Sequence, residues 1–183
     1  KNTHSIILKR AYSSNINIIR ELGSICISRF KKNKILTVMK HIPGHGSSNL
    51  DSHLVLPVVK KTIKKLYNED FKCFVNMNSD FAMTAHILFK NIDKINCATQ
   101  SKKILTLIRK KLRFKGLIIS DDISMKALKS DITINALRSL TAGCNLVLHC
   151  SGNYSETKKL LNKVPLIDNF TQKKTSQIYK FLS

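Results

Sequence analysis

Residues 35–53 read ILTVMKHIPGHGSSNLDSH, an apolar run that stops abruptly at a dense polar cluster. Within this cluster, residues 40–53 carry three imidazoles, one carboxylate and one ammonium group. A second apolar run, Gly116 to Ser120, ends in Asp121 and Asp122. Such a density of titratable groups at strand ends is more typical of function than of packing, and we predict that both clusters belong to one active site.

Helix-like stretches alternate with these short apolar runs along the chain. The spacing of apolar residues predicts helices over 15–32, 60–67, 101–113 and 133–142, and the strands predicted to follow them are 35–39, 81–87, 116–120 and 145–149. Helix-then-strand units in series, with strands that are apolar throughout, indicate an α/β fold with a parallel sheet covered on both faces. An open doubly wound sheet and part of a (β/α)8 barrel would both satisfy this pattern.

The positions of the polar residues favour the barrel. Four groups fall at the carboxyl ends of predicted strands: Lys40-His41, Thr84 to His86, Asp121-Asp122 and His149. In a barrel that end carries the active site. No glycine-rich phosphate-binding fingerprint follows a strand, which weakens the nucleotide-binding alternative. Four units are half of eight, so we expect the chain to hold half of a barrel.

The composition of the chain limits which classes of protein and which cellular compartments it fits. The chain has 183 residues and 43% hydrophobic content, enough to bury a core. No apolar stretch approaches the roughly 20 residues that a membrane span requires, so we expect no membrane association. The five cysteines are scattered and form no C-x-x-C pair, which argues against a disulfide framework and a structural zinc site and favours the cytoplasm. Because the first residue is Lys1 and not methionine, we suspect a missing N-terminus.

A formal charge of +21 raises the question of an anionic partner. Lysine and arginine, however, are spread over nearly the whole chain, and the densest runs resemble solvated helix faces. No helix-turn-helix, zinc-finger or aromatic-and-basic RNA motif accompanies the charge. We therefore do not expect nucleic acid as a partner.

The polar cluster can support proton transfer. In a turned loop the Asp51 carboxylate could hydrogen-bond one ring nitrogen of His53 and leave the other to exchange a proton. Asp121 could then act as a nucleophile or stabilise developing positive charge. A metal site built from His41, His45, Asp51 and His53 is an alternative, but this spacing on a Pro-Gly loop is a weak signal and we predict no metal.

Some of these polar residues also have structural interpretations. Asp121 or Asp122 would be favourable at the start of a following helix, predicted over 123–128, and we expect one of the two to cap it. His86 and His149 are single histidines at strand ends, and we predict packing or pocket-wall roles for both.

Several stretches resemble the bacterial β-N-acetylhexosaminidases of glycoside hydrolase family 3, which remove N-acetylglucosamine from peptidoglycan fragments. In chain order they are KHIPGHGSSNLDSHLVLP (40–57), FAMTAHILF (81–89), FKGLIISDDISMKAL (114–128) and AGCNLVLHC (142–150), and RAYSSN (10–15) resembles the arginine-containing loop upstream. The resemblance implies a (β/α)8 TIM-type barrel. Residues 1–183 would then be the C-terminal part of one barrel domain, with about the last four strands and without the N-terminal half.

The resemblance also implies a role for individual residues. Asp121 would be the catalytic nucleophile of a retaining glycosidase, His53 the general acid/base and Asp51 its dyad partner, while Lys40, His41 and Arg10 would bind the sugar. The implied substrate is an N-acetylglucosamine-containing muropeptide of cell-wall recycling. No metal or organic cofactor is required.

Several features depart from this pattern, among them Leu8-Lys9 in place of the usual Gly-Asp and Asn145 in place of a common aspartate. Ser47 stands where the family usually has an aspartate, and we expect this change to affect how the following loop is anchored. A barrel cut at its middle exposes two apolar sheet edges, so we expect instability, a decayed gene product or association with a separately encoded N-terminal half. The alternative to an enzyme is an inactive remnant, or a basic binding protein without turnover.

Overall fold

The structure, a computed structural model, describes residues 10–183 and is organised around a parallel sheet. Its strands, in spatial order, are β1 (Val38–Ile42), β3 (Phe81–Thr84), β5 (Leu117–Asp122) and β6 (Leu146–Leu148). Each neighbouring pair is parallel. A smaller parallel sheet, which the sequence did not predict, pairs β2 (Val58–Val59) with β4 (Leu88–Phe89). The predicted α/β class and parallel sheet are therefore confirmed.

Helices precede the first described strand, connect later strands and follow the last of them. They are α1 (Ile16–Lys32), α2 (Ile63–Glu69), α3 (Lys102–Lys110), α4 (Ile132–Ala142), α5 (Tyr154–Leu161) and α6 (Asn169–Leu182). A short polar side chain caps the first turn of each: Asn15, Thr62, Ser101, Asp131, Asn153 and Asp168. Such caps bind backbone N–H groups that lack a partner within the helix. Over residues 10–183, no helix has the length and apolarity to cross a membrane.

Two strands lie further along the chain than the sequence predicts. The strand predicted at 35–39 is observed at Val38–Ile42, because its pairing with β3 begins at Val38 opposite Phe81. The strand predicted at 116–120 continues to Asp122, which pairs with Leu148 of β6 across a register shift. The polar residues predicted to follow these strands therefore lie in their last residues, where the sheet itself positions them.

The helix predicted over 123–128 is wrong. Asp122 instead accepts hydrogen bonds from the backbone N–H and the hydroxyl of Ser124, at 3.0 and 2.6 Å. The same carboxylate accepts one from the backbone N–H of Cys150 at 3.1 Å. A side chain that binds nearby backbone in this way favours a turn over a helix. Asp122 is thus the structural carboxylate of the pair, and it ties the end of β5 to the segment after β6.

The main core lies between the sheet and the helices packed against it. Fully buried apolar residues from β1, β3 and β5, including Ile42, Ala82 and Ile118, form one cluster with Ile104 and Ile108 of α3. Among the described strands, β1 and β6 stand at the two edges of the sheet. A closed (β/α)8 barrel has eight strands, and the four described strands of this sheet are the number expected for half of one.

Candidate active site

All six residues predicted from the sequence line one cavity at the carboxyl ends of the strands. The cavity has a volume of about 110 Å³ and is lined by Arg10, Lys40, His41, His45, Asp51, Ser52, His53 and Asp121. β1 and β5 are separated by β3 in the sheet; the loop after β1 contributes His45, Asp51, Ser52 and His53, and Arg10 comes from the segment before α1. The rule that parallel strands bring their carboxyl ends to one face thus accounts for the assembly.

Asp121 and His41 face each other across this cavity. His41 Nε2 lies 3.8 Å from Asp121 Oδ2, and both side chains are largely buried. The other carboxylate oxygen, Oδ1, accepts a hydrogen bond from the backbone N–H of Asp122 at 2.9 Å. One oxygen of Asp121 is therefore fixed by the backbone, and the other is directed towards the side of the cavity where His41 lies.

His41 is held in its neutral form. Burial lowers its pKa to about 4, and the nearby His45, Lys40 and Arg10 act in the same direction, while the charge of Asp121 opposes them. A neutral imidazole can both donate and accept a hydrogen bond. At neutral pH His41 can therefore bind a hydroxyl group next to Asp121 without neutralising that carboxylate.

The loop after β1 leaves the strand through a firmly packed stem, Pro43 to Gly46. Gly44 has a φ of +147°, and a Cβ built on it would lie 2.6 Å from the Cβ of Asp70, so glycine is required there. Ser47, at the end of this stem, donates a hydrogen bond to the buried Asp70 carboxylate and accepts one from Lys61 Nζ at 2.7 Å. The serine that departs from the family pattern therefore anchors the loop.

Asp51 and His53 form the hydrogen bond expected of them. His53 Nδ1 lies 2.8 Å from Asp51 Oδ1, and the backbone N–H of His53 donates to the same oxygen at 2.9 Å. Because a carboxylate only accepts, Nδ1 carries the proton and the bond fixes the tautomer of the ring. The His53 side chain is 61% exposed and that of Asp51 only 18%. The arrangement leaves Nε2 of an accessible imidazole for proton exchange.

Two cavity-lining residues were not among the predicted site residues. His45 Nε2 lies 3.4 Å from Ser52 Oγ, and both residues are buried. The His45 ring also packs edge-on against the ring of His41, with 5.7 Å between centroids. The sequence indicated these two residues only through their positions. His45 lies in the Pro-Gly stem, and Ser52 lies between Asp51 and His53.

The side chain of His86 holds the end of β5 in place. It is completely buried, and its Nε2 donates to the backbone carbonyl of Asp122 at 3.0 Å. Its Nδ1 lies 2.7 Å from the Thr99 hydroxyl. Burial lowers its pKa, which keeps the ring neutral.

His149 lies outside the cavity lining, 3.2 Å from Glu156 and 2.9 Å from Ser151. Both histidines therefore have satisfied structural positions, as predicted.

These buried neutral histidines predict a loss of stability in acid. An unfolded histidine titrates near pH 6.5 and His41 in the folded chain near 4, so protons favour the unfolded state between these values. The stability that neutral His41 contributes is complete above pH 6.5 and is lost as the pH falls towards 4. At about 1.4 kcal/mol per pH unit this amounts to about 3 kcal/mol. His86 acts in the same direction. Urea unfolding at pH 7 and at pH 4 measures the loss.

The matched variant for this measurement is His41→Gln, which cannot take up a proton. Its free energy of unfolding should fall less than that of the parent chain over the same pH range, because the contribution of His41 is removed while that of His86 remains. An identical pH dependence in parent and variant would contradict the assignment to His41.

Residues 10–183 contain no group of three or more His, Cys, Asp or Glu side chains that could hold a metal ion. The cavity combines two carboxylates, three imidazoles and the basic side chains of Arg10 and Lys40. Side chains of this kind bind and orient a polyhydroxylated ligand through hydrogen bonds and transfer protons to it.

Comparison with known proteins gives one consistent family. The profile described as "Glycosyl hydrolase family 3 N terminal domain" matches residues 1–177. A protein of Psychromonas ingrahamii named beta-hexosaminidase is 30% identical over 181 residues, which are 96% of this chain and 52% of that protein. The chain thus spans about half the length of the curated relatives that it matches.

Solved structures of two glycosidases are similar to this chain. NagZ from Neisseria gonorrhoeae, in complex with N-trifluoroacetyl-D-glucosamine, superposes with a TM-score of 0.83 at 25% identity, over 99% of this chain and 52% of that one. The β-N-acetylglucosaminidase from Thermotoga maritima superposes with a TM-score of 0.75 at 30% identity, over 94% of this chain and 40% of that one.

Proposed function

Because this chain belongs to glycoside hydrolase family 3, we propose that it forms the catalytic half of a retaining β-N-acetylhexosaminidase barrel. The proposed substrate is an N-acetylglucosamine-containing muropeptide derived from peptidoglycan, hydrolysed in the cytoplasm during cell-wall recycling. The observation that carries the proposal is the shared cavity, in which Asp121 and the Asp51–His53 pair come from different elements of the fold.

In the first step a sugar is transferred to the protein. The Asp121 carboxylate attacks the anomeric carbon, and a C–O bond to Asp121 forms as the glycosidic C–O bond breaks. Protonated His53 gives its Nε2 proton to the departing oxygen. Asp51, bonded to Nδ1 at 2.8 Å, stabilises the imidazolium form that donates this proton.

In the second step water releases the sugar. Neutral His53 takes a proton from the water as its oxygen attacks the anomeric carbon, and the bond to Asp121 breaks. Two inversions at the same carbon return the original β configuration, which makes the enzyme retaining. Throughout, Arg10, Lys40 and His41 bind sugar hydroxyl groups and hold the ring in position.

The barrel needs partners for its edge strands. We propose that four further strands pair with β1 and β6, from a further segment of the protein or from a separately encoded N-terminal half. Exposed edges of a parallel sheet otherwise associate with other chains. Purified chain is therefore assayed alone and after mixing with the first half of a relative's barrel.

The test is hydrolysis of 4-nitrophenyl β-N-acetylglucosaminide, with the product followed by proton NMR. We expect nitrophenolate release, and β-N-acetylglucosamine as the anomer that forms first. A folded, complemented chain without turnover would contradict the proposal, and initial formation of the α anomer would contradict the nucleophilic role of Asp121. Salt-sensitive binding of nucleic acid without turnover would instead favour a basic binding protein.

A further inference from the structure

Ser52 is buried in a loop whose neighbouring side chain is exposed. The residue is 5% exposed, whereas the side chain of His53 is 61% exposed. The hydroxyl of Ser52 points inwards and lies 3.4 Å from His45 Nε2. Ser52 is thus the inward-facing residue between Asp51 and the exposed His53.

His45 is a fixed point for this loop. It belongs to the stem Pro43 to Gly46, which packs directly on Asp70, and its ring lies edge-on to that of His41 at the end of β1. The ring is itself buried. The contact between His45 and Ser52 therefore links the middle of the loop to a rigid part of the fold.

Resting on the proposed function above, we propose that His45 and Ser52 are positioning residues that hold the Asp51–His53 pair in place for proton transfer to the leaving group. Ser52 is covalently adjacent to both members of that pair, so a displacement of Ser52 displaces both. Misplacement of a reacting group by about 1 Å can cost about 100-fold in rate. The Asp121 carboxylate is held separately, by the Asp122 backbone, and does not depend on this contact.

This separation gives the contact a specific kinetic signature. A poor leaving group such as phenolate needs proton donation as the glycosidic bond breaks, whereas 3,4-dinitrophenolate leaves without it. The value of kcat/KM reports the steps up to and including this bond cleavage. A displaced His53 therefore lowers kcat/KM for the phenyl glycoside much more than for the dinitrophenyl glycoside.

The first variant is Ser52→Ala, assayed on both β-N-acetylglucosaminides. We expect kcat/KM to fall about 10-fold to 100-fold for the phenyl glycoside and by less than about 3-fold for the dinitrophenyl glycoside. The control is Ser48→Ala, which removes another buried loop hydroxyl, one that donates to the Leu50 carbonyl at 3.0 Å. Any loss in this control should be equal for the two substrates.

The second pair of variants alters His45. A glutamine can place a nitrogen near the position of Nε2 and bind the Ser52 hydroxyl, whereas a leucine cannot. We expect His45→Leu to show the same selective loss for the phenyl glycoside as Ser52→Ala, in addition to any loss common to both substrates from its packing on His41, and His45→Gln to recover most of the selective loss. Equal losses on both substrates, or no loss in Ser52→Ala, would overturn the proposal.

A measurement that needs no turnover complements the kinetics. Amide hydrogen exchange over residues 48–54 should be faster in Ser52→Ala and His45→Leu than in the parent chain, and close to the parent rate in His45→Gln. Unchanged exchange in the first two variants would overturn the inference. Failure of the proposed function would appear differently, as an absence of hydrolysis by the parent chain on both glycosides.

Discussion

Asp121→Ala is expected to lower kcat/KM for an aryl β-N-acetylglucosaminide by about 10⁴-fold, or about 5 kcal/mol. The variant lacks the carboxylate oxygen that would form the covalent bond to the sugar. It also lacks the negative charge beside the position where positive charge develops on the anomeric carbon. No other carboxylate lining the described cavity can substitute, because Asp51 is engaged by His53.

The matched control is Asp131→Asn, on the same chain but away from the cavity. Asp131 caps α4 by accepting from the Thr133 N–H at 2.8 Å, and asparagine is an equally good cap. We expect this variant to retain the parent kcat/KM and a similar free energy of unfolding. Turnover that survives Asp121→Ala unchanged would show that the nucleophile lies elsewhere.

Added azide provides a positive test of the same assignment. In Asp121→Ala a small anion can occupy the space left by the carboxylate and attack an activated substrate such as the dinitrophenyl glycoside directly. A single inversion then gives the α-glycosyl azide. Formation of the β-glycosyl azide in this variant would contradict the role of Asp121, because a β product requires two inversions and therefore a first nucleophile other than Asp121.

The proximity of Asp121 to Lys40 and His41 could be predicted from the sequence, because parallel strands end at the same edge of a sheet. Apolar periodicity located the strands, and their shared direction brought the polar ends to one face. Strand limits were less predictable. Ile42 is apolar and fully buried, yet it follows two polar residues, so the pattern gave no reason to extend the strand across Lys40 and His41.

Other features depend on contacts between distant parts of the chain. The turn after Asp122 forms because Ser124 and Cys150 both donate to its carboxylate, and Cys150 comes from the far side of β6. The anchoring of Ser47 depends on Asp70 and Lys61, which lie beyond the loop itself. Arg10 was assigned to the site through family resemblance, since nothing in the local pattern around it distinguishes a ligand-binding arginine from a solvated one.

His53→Ala should produce a loss that depends strongly on the leaving group. For the phenyl glycoside we expect kcat/KM to fall about 10³-fold, within the range of about 10²-fold to 10⁴-fold typical of general acid catalysis. For the dinitrophenyl glycoside kcat/KM should change little, because its leaving group needs no proton. The kcat for that substrate should nevertheless fall, because no base remains to activate water and the glycosyl-enzyme accumulates.

Azide distinguishes this variant from Asp121→Ala. An anion needs no base, so azide should restore kcat of His53→Ala on the dinitrophenyl glycoside by attacking the accumulated glycosyl-enzyme, and the product should be the β-glycosyl azide. The two variants thus give opposite anomers from one reagent.

Asp51→Asn should show a weaker form of the His53→Ala behaviour, since the ring remains but loses the carboxylate that orients it at 2.8 Å. Losses in His53→Ala that are equal for both leaving groups would mean that His53 binds substrate and does not transfer the proton.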